Sequence, residues 1–161
     1  MSRENDIAAF IALCTDLTGF SAFHLRGTGL VEHYLELMLV RAGASVTTDL
    51  LAAHGRARSE SADDAAALAR IIRRLIMSDA RLGPPARSLL KLWYAGVWRA
   101  LPSDWHDAHG GALDDTDVVP TPASYTEGLL WPTVGANPPG AKPFGYGMWA
   151  TAPRIPNPVE A

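Results

Sequence analysis

Along the first hundred residues the apolar positions recur at intervals of three and four, and glycines separate one run from the next. That spacing puts a single apolar stripe on each of several successive helices, and no two-residue alternation supplies material for strands. The chain is therefore expected to be all-α. A first helix starts at an Asn5 or Asp6 cap, carries Ile7, Phe10, Ile11, Cys14 and Leu17, and stops at Gly19, where a left-handed residue closes the last turn. A second follows Gly27, Thr28 and Gly29, carries Leu30, Tyr34, Leu37 and Met38, and stops at Gly43. Ser45 then caps a short helix through Leu50 and Leu51 that is predicted to end at Gly55.

Ser61, Asp63 and Asp64 mark the next helix start, since a hydroxyl and carboxylates suit the positive end of a helix. Leu68, Ile71, Ile72, Leu75 and Ile76 give it the most regular stripe in the chain, with Arg73 and Arg74 on the polar face. Pro84 and Pro85 open another helix, with Leu89, Leu90, Trp93 and Val97 at helical spacing and Trp98 beyond. Gly96 lies in the aromatic end of that helix. Glycine costs about 0.5–1 kcal/mol there relative to alanine, so another backbone or ring is expected close by, leucine is expected to be disruptive, and alanine tolerable.

Residues 102–122 are acidic and turn-rich and read as a surface loop. Ser124-Tyr125-Thr126-Glu127 has the form of a capping box launching a short helix through Trp131, which Pro132 ends. Residues 132–161 hold seven of the twelve prolines and four glycines, together with Phe144, Tyr146 and Trp149. Such a stretch forms neither helix nor sheet ladder, and its aromatic content is high for a disordered linker. The predicted organisation is an irregular bundle of five to six helices over 1–131 and an extended Pro/Gly/aromatic arm over 132–161.

Charge and composition narrow the function. A net charge of −3, with no basic stripe, argues against nucleic acid. Cys14 is the only cysteine, so there is no internal disulfide, and its place in an apolar stripe reads as a buried small hydrophobe. No run approaches the ~20 apolar residues of a membrane span. The apolar stretch from Ile7 to Cys14 is flanked by Glu4, Asp6 and Asp16, so it reads as the first core helix and not as a signal peptide.

Among candidates for chemistry, Asp104-Trp105-His106-Asp107-Ala108-His109 has metal-ligand character, and a small metal-dependent hydrolase using His106 and His109 is one alternative. The glycines that follow favour a solvated acidic loop instead. His24, His33 and His54 read as surface or satisfied core residues. Gly135, Gly140, Gly145 and Gly147 match no dinucleotide or phosphate loop, and no nucleophile elbow is present, so no metal or cofactor site is expected on this chain. The aromatic clusters carry more. Trp93, Tyr94, Trp98, Tyr125, Trp131, Tyr146 and Trp149, with Pro138 and Pro139, either cap the core or face a partner, where rings with polar handles are enriched.

Leu92-Trp93-Tyr94-Ala95-Gly96-Val97, then Ser124-Tyr125-Thr126-Glu127-Gly128-Leu129-Leu130-Trp131, then Asn137-Pro138-Pro139-Gly140 and Gly147-Met148-Trp149-Ala150-Thr151-Ala152-Pro153, in that order, resemble the small-subunit family of membrane-associated FAD-dependent sorbitol, fructose and glucose dehydrogenases. Asp16-Leu17-Thr18-Gly19 is similar to that family's first helix end. The resemblance is strong over 89–153 and weak over 20–85. It implies a non-catalytic subunit that supports folding, stability or export of a large glucose-methanol-choline-type flavoprotein. The resemblance implies that FAD, and haem c or an iron–sulfur cluster where one is present, reside in partner subunits, one of which is a cytochrome c in many members of the family. It also implies a periplasmic location at the inner membrane. The twin-arginine leader of the family is not seen ahead of the first helix, which leaves a cytoplasmic location open, and the Asn137–Tyr146 stretch lacks the cysteine found in some members, so association is expected to be non-covalent. A stand-alone helical interaction or chaperone domain is the alternative of another class.

Overall fold

The computed structural model describes residues 3–112 and 114–142. Among them the architecture is all-α, as the periodicity predicts. The helices are α1 Arg3–Thr18, α2 Ala22–Gly27, α3 Val31–Arg41, α4 Ala44–Ser61, α5 Ala65–Ile72, α6 Gly83–Ala95, α7 Ser103–His109, α8 Pro122–Thr126 and α9 Leu130–Val134, and α5 continues into a π-helical turn, Arg73–Met77. One core joins Phe10, Leu13, Tyr34, Met38, Leu50, Ile76, Leu89, Leu92, Trp93 and Trp98. No described helix is long and apolar enough to cross a membrane.

Several helix limits differ from the sequence reading, each for a local reason. α4 runs through Gly55 because Ala53, His54, Ala57 and Ser61 are buried on both sides of it. Helix-stop chemistry at a glycine yields to tertiary burial. Ser61 does not start α5. Its hydroxyl donates back to the Arg58 carbonyl at 2.9 Å, Ala62 and Asp63 turn left-handed, and Asp64 is the cap, accepting from the Ala66 and Ala67 amides. α2 is a further helix, capped by Ser21, whose hydroxyl accepts from the His24 amide at 3.2 Å.

α6 ends at Ala95, and Gly96 is its left-handed terminator with φ +71°, outside the helix interior. Thr121 takes the cap role expected of Ser124. Its hydroxyl accepts from the Ser124 amide at 3.1 Å, and Pro122 then occupies the first helical position, where it needs no amide hydrogen. Pro132 sits in the first turn of α9 for the same reason and does not end a helix. α9 thus runs across the predicted boundary at Trp131, and Lys142 pairs with Glu127 at 2.9 Å. The predicted arm beyond it, residues 143–161, lies outside the described residues.

The acidic stretch 102–122 is more than a solvated loop. It contains α7, and Trp98 and Val118 exchange backbone hydrogen bonds at 2.8 and 3.0 Å. Asp115 is buried: Oδ1 accepts from Trp98 Nε1 at 2.9 Å and lies 3.6 Å from the Arg41 guanidinium, while Oδ2 accepts from the Leu101 amide at 2.7 Å. A buried carboxylate is tolerated when its lone pairs are filled in this way.

Candidate functional site

The aromatic residues expected at a partner interface fall into three groups. Trp93 and Trp98 are interior and offer no surface to a partner, which corrects that expectation. Trp93 Nε1 donates to Cys14 Sγ at 3.1 Å, and its ring meets Tyr34 edge-on at 4.7 Å, because the α6 stripe faces α1 and α3. Tyr34 is fully buried, and that burial pushes its hydroxyl pKa up to about 12 against the opposing hydrogen bond with Ser124. Burial likewise pushes the Cys14 thiol pKa far up, with the Trp93 contact opposing it, so Cys14 is packing and not a nucleophile.

Tyr94 is half-buried. Its hydroxyl donates to the Thr18 carbonyl at 2.7 Å, tying the end of α6 to the end of α1, and its ring lies 6.2 Å from Phe20. Burial raises its pKa as well. Thr18 in turn donates to the Cys14 carbonyl at 2.7 Å and accepts from the Phe20 amide, which ties the Asp16-Leu17-Thr18-Gly19 turn to α1. Asp16 anchors it to α4, accepting from Arg58 Nε and Nη2 at 2.7 and 3.0 Å and facing His54 Nε2 at 2.7 Å. Burial works to raise the Asp16 pKa, but the Arg58 and His54 contacts outweigh it and hold it below its ordinary value.

Of the other predicted residues, Trp131 and Pro138 lie where α8 and α9 meet α2, with Tyr125 beside Trp131. Tyr125 is exposed and meets Trp131 edge-on at 5.4 Å, and Trp131 Nε1 donates to the Tyr125 carbonyl at 2.7 Å. His24, Thr126, Gly128, Trp131, Pro132 and Pro138 line a cavity of about 190 Å³ there. Pro138 is buried and Pro139 exposed, while Tyr146 and Trp149 lie outside the described residues. The three short helices that line this cavity also expose Phe23 (87%), Leu130 (42%) and Val134 (47%). Sequence reasoning missed Phe23 because α2 was not recognised. The Ser21 cap, three residues before His24, was the signal that could have found it.

The backbone of this corner is held by two glycines. A Cβ on Gly96 would stand 2.6 Å from the Ser124 carbonyl carbon and 2.9 Å from the Tyr125 nitrogen, and one on Gly128 would stand 2.9 Å from the Tyr94 carbonyl oxygen. The Leu129 amide donates to the Trp93 carbonyl at 2.9 Å. The close backbone approach expected at Gly96 is therefore present, and it makes even alanine costly there, against the tolerance expected from the sequence. Two of the motifs carrying the family resemblance are in direct contact here.

The His106/His109 cluster lies on a helix, not in a loop. Both rings pack against Trp105 at 5.3 and 5.4 Å, and His106 spends its nitrogens on protein, Nδ1 at 3.1 Å from the Gly110 carbonyl and Nε2 at 3.2 Å from Asp115. No group of three or more histidine, cysteine or acidic residues is placed to hold a metal among the described residues. His54 is a satisfied core residue, and His24 and His33 are on the surface. No family model, curated protein or solved structure matches the chain.

Proposed function

We propose that this chain is a non-catalytic helical subunit of a heteromeric flavin-dependent sugar or polyol dehydrogenase, supporting the folding, stability or export of the large glucose-methanol-choline-type subunit at the periplasmic face of the inner membrane. Flavin chemistry belongs to that partner, and electrons leave through a cytochrome c or similar redox subunit. The observation that carries the reading is the set of large apolar side chains left in solvent on α2, α8 and α9, with Phe23 at 87% exposure. A phenylalanine so exposed, beside a corner rich in tyrosine and tryptophan, suits the buried anchor of an interface. The resemblance of the motifs over 89–153 supplies the identity of the partner.

Co-expression with a flavoprotein encoded by a neighbouring gene, followed by affinity purification through this chain and an absorption spectrum, tests it. A flavin spectrum is expected in the complex and not from this chain alone. The double change Phe23→Asp and Leu130→Asp should lower flavoprotein recovery at least about tenfold, the loss of one hot spot, with an unchanged circular-dichroism spectrum. Recovery at the wild-type level would reject the docking face. Co-purification of an unfolded client without flavin would favour a stand-alone chaperone domain.

A further inference from the structure

α1, α3 and α4 pack on one another and leave an open groove on their outer side. Ile7, Ala9, Leu35, Leu39, Leu51 and Ala52 line a cavity of about 430 Å³ within it. On α3 the lining residues are Glu32, Leu35, Glu36 and Leu39, spaced by three and four over two turns. That repeat is the one with which one helix receives another, and three helices around such a groove form the seat of a fourth. Its rim is acidic. Arg3 pairs with Glu36 at 2.8 Å and Glu32 at 3.5 Å, which with Asp6 leaves three acids to one base among the lining residues.

The matching element is on the same chain. α5 and its π-helical turn send Ile72 and Ile76 into the core, while Leu68, Ile71 and Leu75 pack on its edge and stay partly accessible as an apolar shoulder. Arg74 on this segment is held by Glu60 at 2.6 Å. Arg70 and Arg73 are exposed and form no salt bridge within 4 Å among the described residues, although the Arg70 charge is felt by Asp64 at the start of α5. Two cations beside this partly buried apolar stripe are the charge complement of a groove carrying two surplus negative charges.

We infer that the α1–α3–α4 groove is a self-association site, occupied by the α5 segment of a second copy of this chain, with the contact repeated reciprocally. The site is separate from the α2–α8–α9 corner and does not depend on the identity of any flavoprotein. Sedimentation velocity of the purified full chain over about 1 μM to 1 mM, the range in which small interfaces dissociate, reads it directly. Concentration-dependent self-association is expected, and a monomer throughout that range overturns the inference. Glu32→Lys with Glu36→Lys in the groove, and separately Arg70→Glu with Arg73→Glu on α5, should each weaken association at least about tenfold, since two like-charge contacts then replace two opposite ones in each groove. All four residues are exposed, so circular dichroism should be unchanged, and Leu39→Asp on the groove wall is an independent variant expected to act in the same direction. Mixing the two charge-reversed chains restores complementarity in both contacts, and the mixture should associate at least about tenfold more tightly than either chain alone. Association indifferent to these reversals, or no gain on mixing, places the contact on another face and refutes the assignment.

Discussion

Gly96→Ala is the smallest change that tests how this fold is held together. The methyl group would enter a space where the Ser124 carbonyl carbon stands 2.6 Å away, and ordinary contact begins near 3.4 Å, so the backbone of α8 must retreat. Alanine at φ +71° costs about 1–2 kcal/mol by itself. The retreat strains the hydrogen bond from the Leu129 amide to the Trp93 carbonyl, whose loss inside the protein costs a further 1–3 kcal/mol or so. The total is on the order of 3 kcal/mol, a large part of a typical domain's stability, equivalent to a fall of roughly 6–12 °C in Tm for a chain of this length. Urea denaturation followed by circular dichroism measures it, with two controls. Gly19→Ala carries the backbone strain alone, since φ is +77° but nothing lies within 4 Å, and should cost about 1–2 kcal/mol. Gly55→Ala sits in the middle of α4 with open space around it and should stabilise by about 0.5–1 kcal/mol. If Gly96→Ala loses no more than Gly19→Ala, the close approach is not a constraint and the corner is assembled some other way.

Two further outcomes follow from the ionisable groups. The Asp16 carboxyl titrates lower in the folded chain than in the unfolded one, so its contribution is complete above the unfolded value of about 3.9 and is lost as pH falls through the folded value. Asp16→Asn should therefore destabilise by about 1–3 kcal/mol at pH 7, with the gap to wild type narrowing below about pH 4, and a gap independent of pH would contradict the ionic account. Cys14, buried and with its thiol pKa pushed up, should resist aromatic disulfide reagents at pH 8 in the native protein and react at once in denaturant; prompt labelling of native protein would contradict its burial.

The fold class was legible because its signal is redundant: each stripe, such as Leu68 to Ile76, repeats the same helical period several times. The helix limits were not, because capping groups compete locally. Ser61, Asp63 and Asp64 all have cap chemistry, and only the left-handed turn at Ala62 and Asp63 decides that Asp64 carries it. Ser124 yields its cap role to Thr121, three residues earlier, because Thr121 is extended and is followed by Pro122 at the first helical position. Gly55 looked like a stop and Gly96 like a helix interior, and burial around the first and backbone packing against the second reversed both readings. Asp115 shows the deepest limit. An acid in a glycine-rich stretch reads as solvated, and only the folded chain brings the Trp98 indole, the Leu101 amide and Arg41 around it.

The motifs behind the family resemblance divide by what they do in the structure. Trp93, Gly96, Ser124, Gly128 and Leu129 hold the end of α6 against α8 and α9, and Asp16 and Thr18 hold α1 against α4 and α6, so these positions answer to internal packing. A likeness built on them bears on the fold of this chain before it bears on any partner. The residues that would discriminate partners are those the packing leaves free: Phe23 and Val134, outside every motif, and Tyr125 and Leu130, motif positions that face solvent. The internal corner is nevertheless what aims them, because displacing α8 by a methyl group at Gly96 would shift Tyr125 and, through Leu129, the whole of α9. Loss of partner recovery in Gly96→Ala at temperatures where the variant is still fully folded is therefore expected if α8 and α9 form the docking face. Unchanged recovery there would assign recognition to α2 or to residues beyond 142.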